Sequence, residues 1–269
     1  MDVHHINVLI ERESGKTATA KMIAFHDLGT SRVYCKIIMF EKKGGVRKID
    51  IITAFINMCM DPAFGLPKVL YVDNGSEYVW ADHLQDALKL NISINGFDWA
   101  SDRSAVVRAI PYNASAKQVE GWFCQMNQQY FRHIPGWIDD DRMNPKREKL
   151  GKLMPPYPGT FDEFVADVKK LVHGSYGWSP QYGELKGASP LEKFKQFRDA
   201  GWTATLVDPN DLLSVFTREK GHMVTKGHIQ ALGRYWTCNE LNGYLGQRVT
   251  IHIPKYHGAD KLRITEWEG

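Results

Sequence analysis

Lys68-Val69-Leu70-Tyr71-Val72-Asp73-Asn74-Gly75-Ser76-Glu77 is a run of β-formers that stops at a carboxylate and a glycine turn. Val, Leu and Tyr in succession read as a short buried strand, and Asn-Gly marks the turn that closes it. Asp73 then stands at the tip of that strand, where metal-dependent phosphoryl-transfer sites are often built. Such a site needs further acids. Two stand out: Asp2 near the start of the chain and Glu120 in a helical segment further on.

Upstream of this run the chain reads as strands. Val3 to Ile10, Lys21 to Leu28 and Arg32 to Phe40 are β-rich, separated by turn residues at 13–16 and 29–31. Short turns between them predict an antiparallel meander. After Gly44-Gly45 the period changes: Val46, Ile49, Ile52, Phe55, Ile56 and Cys59 fall at helical spacing. Downstream of Asp73, Val79 to Leu90 reads as a helix and Ala105 to Tyr112 as a strand. Ser115 to about Arg132 reads as a helix with Ser115 and Gln118 as its capping box and Val119, Trp122, Phe123, Met126 and Tyr130 as its apolar stripe. The order β-β-β-α-β-α-β-α predicts an α/β fold, a mixed five-stranded sheet flanked by helices, and is similar to the ribonuclease-H-like fold.

Residues 133–160 look irregular, with Asp139-Asp140-Asp141, a basic cluster at 146–152 and four prolines between Pro145 and Pro158. Helices are expected from Thr160 to about His173 and from Ser189-Pro190, with proline at the first helical position. From about residue 205 short β-like runs are split by glycine turns, which predicts a small all-β barrel. The expected domains are thus residues 1–204 and 205–269, with the boundary near 202–208.

Composition narrows the classes. The chain has 269 residues, 43% of them hydrophobic, enough for one large domain and a small one. No apolar run reaches about 18 residues, so no membrane-spanning helix is expected. Asp2, His4 and His5 do not make the basic start of a secretory signal. Cys35, Cys59, Cys124 and Cys238 are scattered without a CxxC pair and read as reduced thiols of a cytoplasmic protein rather than a zinc site. A net charge of +3 does not by itself argue for nucleic acid.

Asp2 starts the first strand, Asp73 ends the fourth, and Glu120 lies in the first turns of the helix after the fifth. If strands one and four are neighbours, their acids meet and the helix lays a glutamate across them. Carboxylates gathered this way repel one another, and a divalent ion relieves the repulsion. Hard oxygen donors suit Mg²⁺ or Mn²⁺. Two such ions about 3.5–4 Å apart stabilise the attacking and leaving oxygens of an in-line displacement.

Four segments carry a resemblance to a known family: Met1-Asp2-Val3-His4-His5-Ile6, Phe25-His26-Asp27-Leu28-Gly29-Thr30-Ser31-Arg32-Val33, Tyr71-Val72-Asp73-Asn74-Gly75-Ser76-Glu77, and Asn113-Ala114-Ser115-Ala116-Lys117-Gln118-Val119-Glu120. Together they resemble the catalytic core of DDE transposases and integrases, most closely the phage Mu transposase type. Val224-Thr225-Lys226-Gly227-His228-Ile229 and Gly246-Gln247-Arg248-Val249-Thr250-Ile251 resemble the barrel that follows that core. The resemblance implies that Asp2, Asp73 and Glu120 are the catalytic and metal-holding acids, with Mg²⁺ or Mn²⁺ as two ions. It implies nicking of DNA at transposon ends and joining of the freed 3′-hydroxyl to target DNA, by an oligomer bridging the ends. It also implies an accessory ATPase that selects the target, and a place in the cytoplasm beside the nucleoid of a bacterial or phage-infected cell. Gly121 departs from the family, which often has a basic residue after its catalytic glutamate. The family's end-recognition domains precede the core and are expected outside this chain.

Rival assignments accompany these. Asp27 also ends a strand, and its alternative role is to hold the turn before Arg32. Glu77 could support Asp73 or face solvent. His4 and His5 alternate across a strand, so at most one faces the site. Lys117 is one turn before Glu120 and shares its face. Lys117, Arg108, Arg132, Lys226, Arg234 and Arg248 are the candidate DNA contacts, each with solvated lysine or arginine as its alternative. Two rival functions are a related nuclease without strand transfer and a non-catalytic DNA-binding module.

Overall fold

The computed structural model describes residues 1–42, 44–72, 106–108, 117–138, 154–206 and 208–267. The first three strands are β1 (Asp2–Glu11), β2 (Thr17–His26) and β3 (Val33–Ile38). They form the expected antiparallel meander, with Asp2 opposite Ala24 and His26 opposite Val33. Alternation sorts the side chains. Ile6, Ala20, Met22, Ala24, Cys35 and Ile37 line one face and are buried in a single core.

That face is covered by the second and third of the next three helices. Helix α1 is Lys48–Met60, α2 is Lys117–Gln129 and α3 is Phe161–Lys169. Trp122, Phe123 and Met126 of α2 join the core, as do Phe131, Phe164, Val168, Val172 and Tyr176. Burying each large apolar side chain contributes about 1.5–3 kcal/mol. Thr160 caps α3, accepting from the Glu163 amide at 3.3 Å while the Glu163 carboxylate accepts from the Thr160 amide at 2.7 Å. Past α3 the chain runs through a π-helical stretch, Lys170–Tyr176. Helix α4, Pro190–Asp199, starts at the same kind of box, made by Ser189 and Glu192.

Strands β4 (Leu70–Val72) and β5 (Val106–Arg108) pair in parallel. The expected mixed five-stranded sheet of ribonuclease-H type is corrected here. Among the described residues the strands form a three-stranded antiparallel meander and a separate two-stranded pair. The reason lies on the outer edge of β1. At one end it is taken by residues after α2: the Leu9 amide donates to Gly136 O at 2.9 Å, the Ile138 amide to Asn7 O at 2.7 Å, and the Tyr157 amide to Leu9 O at 2.7 Å. At the other end the Met1 nitrogen donates to Tyr71 O at 2.9 Å. That contact brings β4 to β1, but β4 is three residues long and no β1–β4 ladder forms among the described residues.

The strands and helices fall into two compact units. The first holds β1–β5 and α2–α4. The second holds α1 together with the C-terminal elements: α5 (Pro209–Val215), β6 (Thr217–Met223), β7 (Ile229–Ala231), β8 (Arg234–Trp236), β9 (Arg248–Pro254) and β10 (Arg263–Glu266). Helix α5 was not expected. Its signals are Asp208, whose carboxylate accepts from the Asn210 amide at 2.8 Å, and Pro209 in the first turn. Phe55 of α1 meets Phe216 edge to face, with ring centroids 6.0 Å apart. The expected barrel is also corrected: among the described residues β6, β9 and β10 make one sheet, and β7 and β8 make a separate hairpin. Val224, Ile229, Leu241, Val249 and Ile251 form the local core.

Candidate metal-dependent active site

Three segments approach one end of β1. Asp2 is the first residue of the strand. It is half-buried, and its Oδ1 accepts from the Val3 amide at 2.7 Å. The Met1–Tyr71 hydrogen bond sets the start of β1 beside β4, and Asp73 follows the last residue of β4 in the chain. Asp73 itself lies outside the described residues. The third segment is α2, and ring contacts fix its direction. Phe123 stacks on His4, centroids 4.4 Å apart, and Asn127 Nδ2 lies 3.0 Å from His4 Nε2. Trp122 lies over His26, with centroids 6.4 Å apart.

His4 and His26 are on the Asp2 face of the meander, with His26 nearer its outer end. Moving toward the N-terminus of α2 therefore moves toward Asp2. Glu120 stands two residues before Trp122, exposed, in the first turn of that helix. An acid there is also favoured by the positive end of the helix dipole.

The described donors are carboxylate oxygens, the chemistry a hard divalent cation selects. Among the described residues no three His, Cys, Asp or Glu side chains stand together as a metal-holding group. The expected trio includes Asp73 and so is not contained in them. Asp27 holds its turn. Its Oδ1 accepts from the Gly29 amide at 3.2 Å, its Oδ2 accepts from the Thr30 hydroxyl, and its carbonyl accepts from the Ser31 amide at 2.7 Å. Ser31 takes a positive φ of 56° there. Arg32 is buried, with its guanidinium carbon 3.2 Å from the centroid of the Phe194 ring. Glu77 lies outside the described residues.

Of the candidate DNA contacts, Arg132, Lys226, Arg234 and Arg248 are exposed. Arg248 stands over the Trp267 ring at 5.1 Å. Arg108 is in β5 and Lys117 opens α2, and the described structure covers their backbone alone. Cys35 and Cys59 are buried, and burial pushes the Cys35 thiol up to about 12; Cys124 and Cys238 are exposed, and none of the four is in a disulfide. No described helix is long and apolar enough to cross a membrane.

His26 was missed in the sequence. It ends β2 two positions past the residue opposite Asp2, a register that the sequence alone does not give. Burial pushes its imidazole down to about 4; the Met1 ammonium adds to the shift and Asp27 opposes it.

No protein-family model matches the chain, and no curated protein matches it either.

Proposed function

We propose that this chain is the catalytic core of a DNA strand-transfer enzyme of the DDE transposase kind, with Asp2, Asp73 and Glu120 as its metal-holding acids. The five-stranded sheet is absent among the described residues, so the sheet lends this reading no support. What carries it is the approach of three chain segments to one end of β1: the strand that starts at Asp2, the strand that Asp73 follows, and the helix whose first turn holds Glu120.

In the nicking step, water attacks phosphorus at a transposon end. The bond from phosphorus to the 3′-oxygen breaks and that oxygen takes up a proton, leaving a 3′-hydroxyl and a 5′-phosphate. In joining, the 3′-hydroxyl attacks a target phosphodiester and a target 3′-hydroxyl leaves. The divalent ions supply charge stabilisation to the attacking and leaving oxygens. Asp2 and Glu120 contribute oxygen donors from two elements clamped together by the stack of Phe123 on His4. Arg132, Lys226, Arg234 and Arg248 offer exposed cations for DNA phosphates. In this reading the partners are transposon-end and target DNA, a second copy of the chain at the other end, and an accessory ATPase. The setting is the cytoplasm.

The test is joining of pre-cut end DNA to a target with Mg²⁺ or Mn²⁺. Asp73→Asn abolishes nicking and joining while leaving the melting temperature unchanged, because a neutral amide is a poor ligand for a hard cation. Near-normal joining by that variant overturns the assignment. Nicking without joining by the unaltered chain gives the nuclease reading.

A further inference from the structure

Residues 224–238 contain Lys226, His228 and Arg234 and no Asp or Glu. The stretch folds on two tight turns. In the first, the Thr225 amide donates to His228 O at 3.2 Å and the His228 amide to Thr225 O at 3.1 Å, with Lys226 and Gly227 at the tip. In the second, Leu232 and Gly233 join β7 to β8. All four tip residues take a positive φ: 52° and 72°, then 55° and 72°. Asn or Asp is the usual first residue of such a turn. Leucine is a poor one, because its Cβ crowds the following carbonyl in the left-handed region. Leu232 is also 51% exposed, so burial does little to offset the strain. Strain kept at an exposed tip motivates a role there.

The two tips stand at opposite ends of β7, at most about 20 Å apart. Between them one side of the hairpin is open. Gln230 and Tyr235 face each other across the strands on that side, away from the buried Ile229 and Ala231. Tyr235 is 69% exposed, and His228 steadies its ring, with centroids 5.0 Å apart at 84°. The platform is stiff. Ile229 and Ala231 root it in the local core, Trp236 Nε1 donates to Ala231 O at 2.9 Å, and Thr237 Oγ1 donates to Gly227 O at 3.1 Å. Lys226 and Arg234 are exposed at its two ends.

A fixed, open aromatic ring between two exposed cations, in a run without acids, is complementary to a polyanion that carries flat bases. We propose that the β7–β8 hairpin binds an unpaired strand of nucleic acid: one base stacks on Tyr235, Leu232 packs against a neighbouring base, and Lys226 and Arg234 hold phosphates on either side. One leucine and one tyrosine are too little apolar surface to seat the hairpin in a lipid bilayer. The site uses none of the three acids and goes beyond the strand-transfer reading.

The full chain is titrated into a fluorescein-labelled oligothymidine of about 12 nucleotides, within the usual site size for such binders, and read by anisotropy. A uridine oligomer of the same length tells DNA from RNA as the source of the strand. The expected result is binding that Tyr235→Ala weakens by about tenfold and Tyr235→Phe leaves unchanged. Tyr235→Ala keeps the salt dependence, whereas Lys226→Gln with Arg234→Gln lowers the slope of log affinity against log salt by about 1.4. Leu232→Asn relieves the turn, so it raises the melting temperature while weakening binding; higher melting with unchanged binding overturns the part of Leu232. Melting is measured on each variant, and Tyr235→Gln replaces the alanine variant if that one is unfolded. Asp73→Asn binds the oligomer as the unaltered chain does, so a failure of joining leaves this inference standing. Unchanged affinity in the Tyr235→Ala variant overturns it, and so does binding to phosphatidylserine vesicles without binding to either oligomer.

Discussion

Each compact unit sets a histidine near a carboxylate, and the two treat it in opposite ways. In the C-terminal unit, Asp50 is 8% exposed and fully engaged. It accepts from the Arg47 amide at 2.8 Å, from Arg47 Nε at 3.2 Å and from His257 Nε2 at 2.7 Å. The His257 amide in turn donates to Thr53 Oγ1 at 2.9 Å. Burial pushes the Asp50 carboxyl up, but the Arg47 and His257 hydrogen bonds outweigh it and hold the group below the ordinary carboxylate range. In the first unit, three ring nitrogens of His26 and Trp122 have no hydrogen-bond partner among the described residues. A polar cluster that satisfies itself fastens a fold: this one ties α1 to the segment after β9. A polar cluster left open is costly to keep.

The largest effect expected from this contrast is on the closed cluster. Asp50→Ala removes the acceptor shared by Arg47 and His257 and should destabilise the C-terminal unit by about 3 kcal/mol, read by urea unfolding. His257→Ala should cost less, because its side chain is 47% exposed and water replaces the lost partner. A loss under about 0.5 kcal/mol for Asp50→Ala, the range of ordinary surface substitutions, would mean that the cluster fastens nothing.

The next effect compares two glycines. A Cβ on Gly136 would lie 2.7 Å from the Tyr157 amide nitrogen and 2.9 Å from Leu9 O, at a φ of +87°. Both neighbours are backbone, so neither can swing away, and Gly136→Ala should cost about 2 kcal/mol. A Cβ on Gly221 would strike the Trp267 ring, which is 41% exposed and free to turn outward. Gly221→Ala should therefore cost under about 1 kcal/mol, and its clearest trace is a red shift of tryptophan fluorescence. Equal losses at the two sites would show that the β1 edge yields as easily as a surface ring.

How much of this was legible in the chain depends on range. The meander, α1, α2, α3 and α4 follow from local signals: alternation over Val3 to Ile10, period at 46–59, and the Thr160–Glu163 and Ser189–Glu192 boxes. The five-stranded sheet did not follow, because strand count says nothing about which edge a neighbour takes, and β1 gives its edge at Asn7 and Leu9 to residues 136, 138 and 157. Helix α5 was hidden because its seven residues are too few to show a period. Asp2 and Glu120 could be proposed from their spacing along the chain, and Asp73 lies outside the described residues. His26 escaped because a histidine at a strand end looks like any other until the ring above it is known to be Trp122.

A third test turns on protons. The folded His26 titrates near 4, below the ordinary histidine value of 6.5. Between those values the unfolded chain binds a proton that the folded chain refuses, so stability rises with pH across this window. Its contribution is whole above pH of about 6.5 and is lost as pH falls toward about 4. His26→Phe should flatten melting temperature against pH in that window. At neutral pH it should leave stability level or raise it by about 1 kcal/mol, since it replaces unpaired nitrogens with an apolar ring of similar size. His257→Phe in the closed cluster should do the reverse and destabilise at neutral pH. If both variants behave alike, the distinction between open and closed clusters fails.

The smallest expected change in stability comes from the exposed cations of the C-terminal unit. Lys226, Arg234 and Arg248 all face solvent, Lys226 in a turn at a φ of 52° and Arg248 over the Trp267 ring. Surface changes of this kind move stability by no more than about 0.5 kcal/mol each, so replacing all three with glutamine should barely shift melting. DNA binding reports on them separately. Each phosphate contact releases counterions, so losing three contacts should reduce the slope of log affinity against log salt by up to about 2.7 on duplex DNA. An unchanged slope with unchanged melting would make the three residues solvated charges only. A large fall in melting would place them in the fold rather than on DNA, and Arg248 would be the one to examine first, because its stack on Trp267 is the contact most able to stabilise the sheet edge.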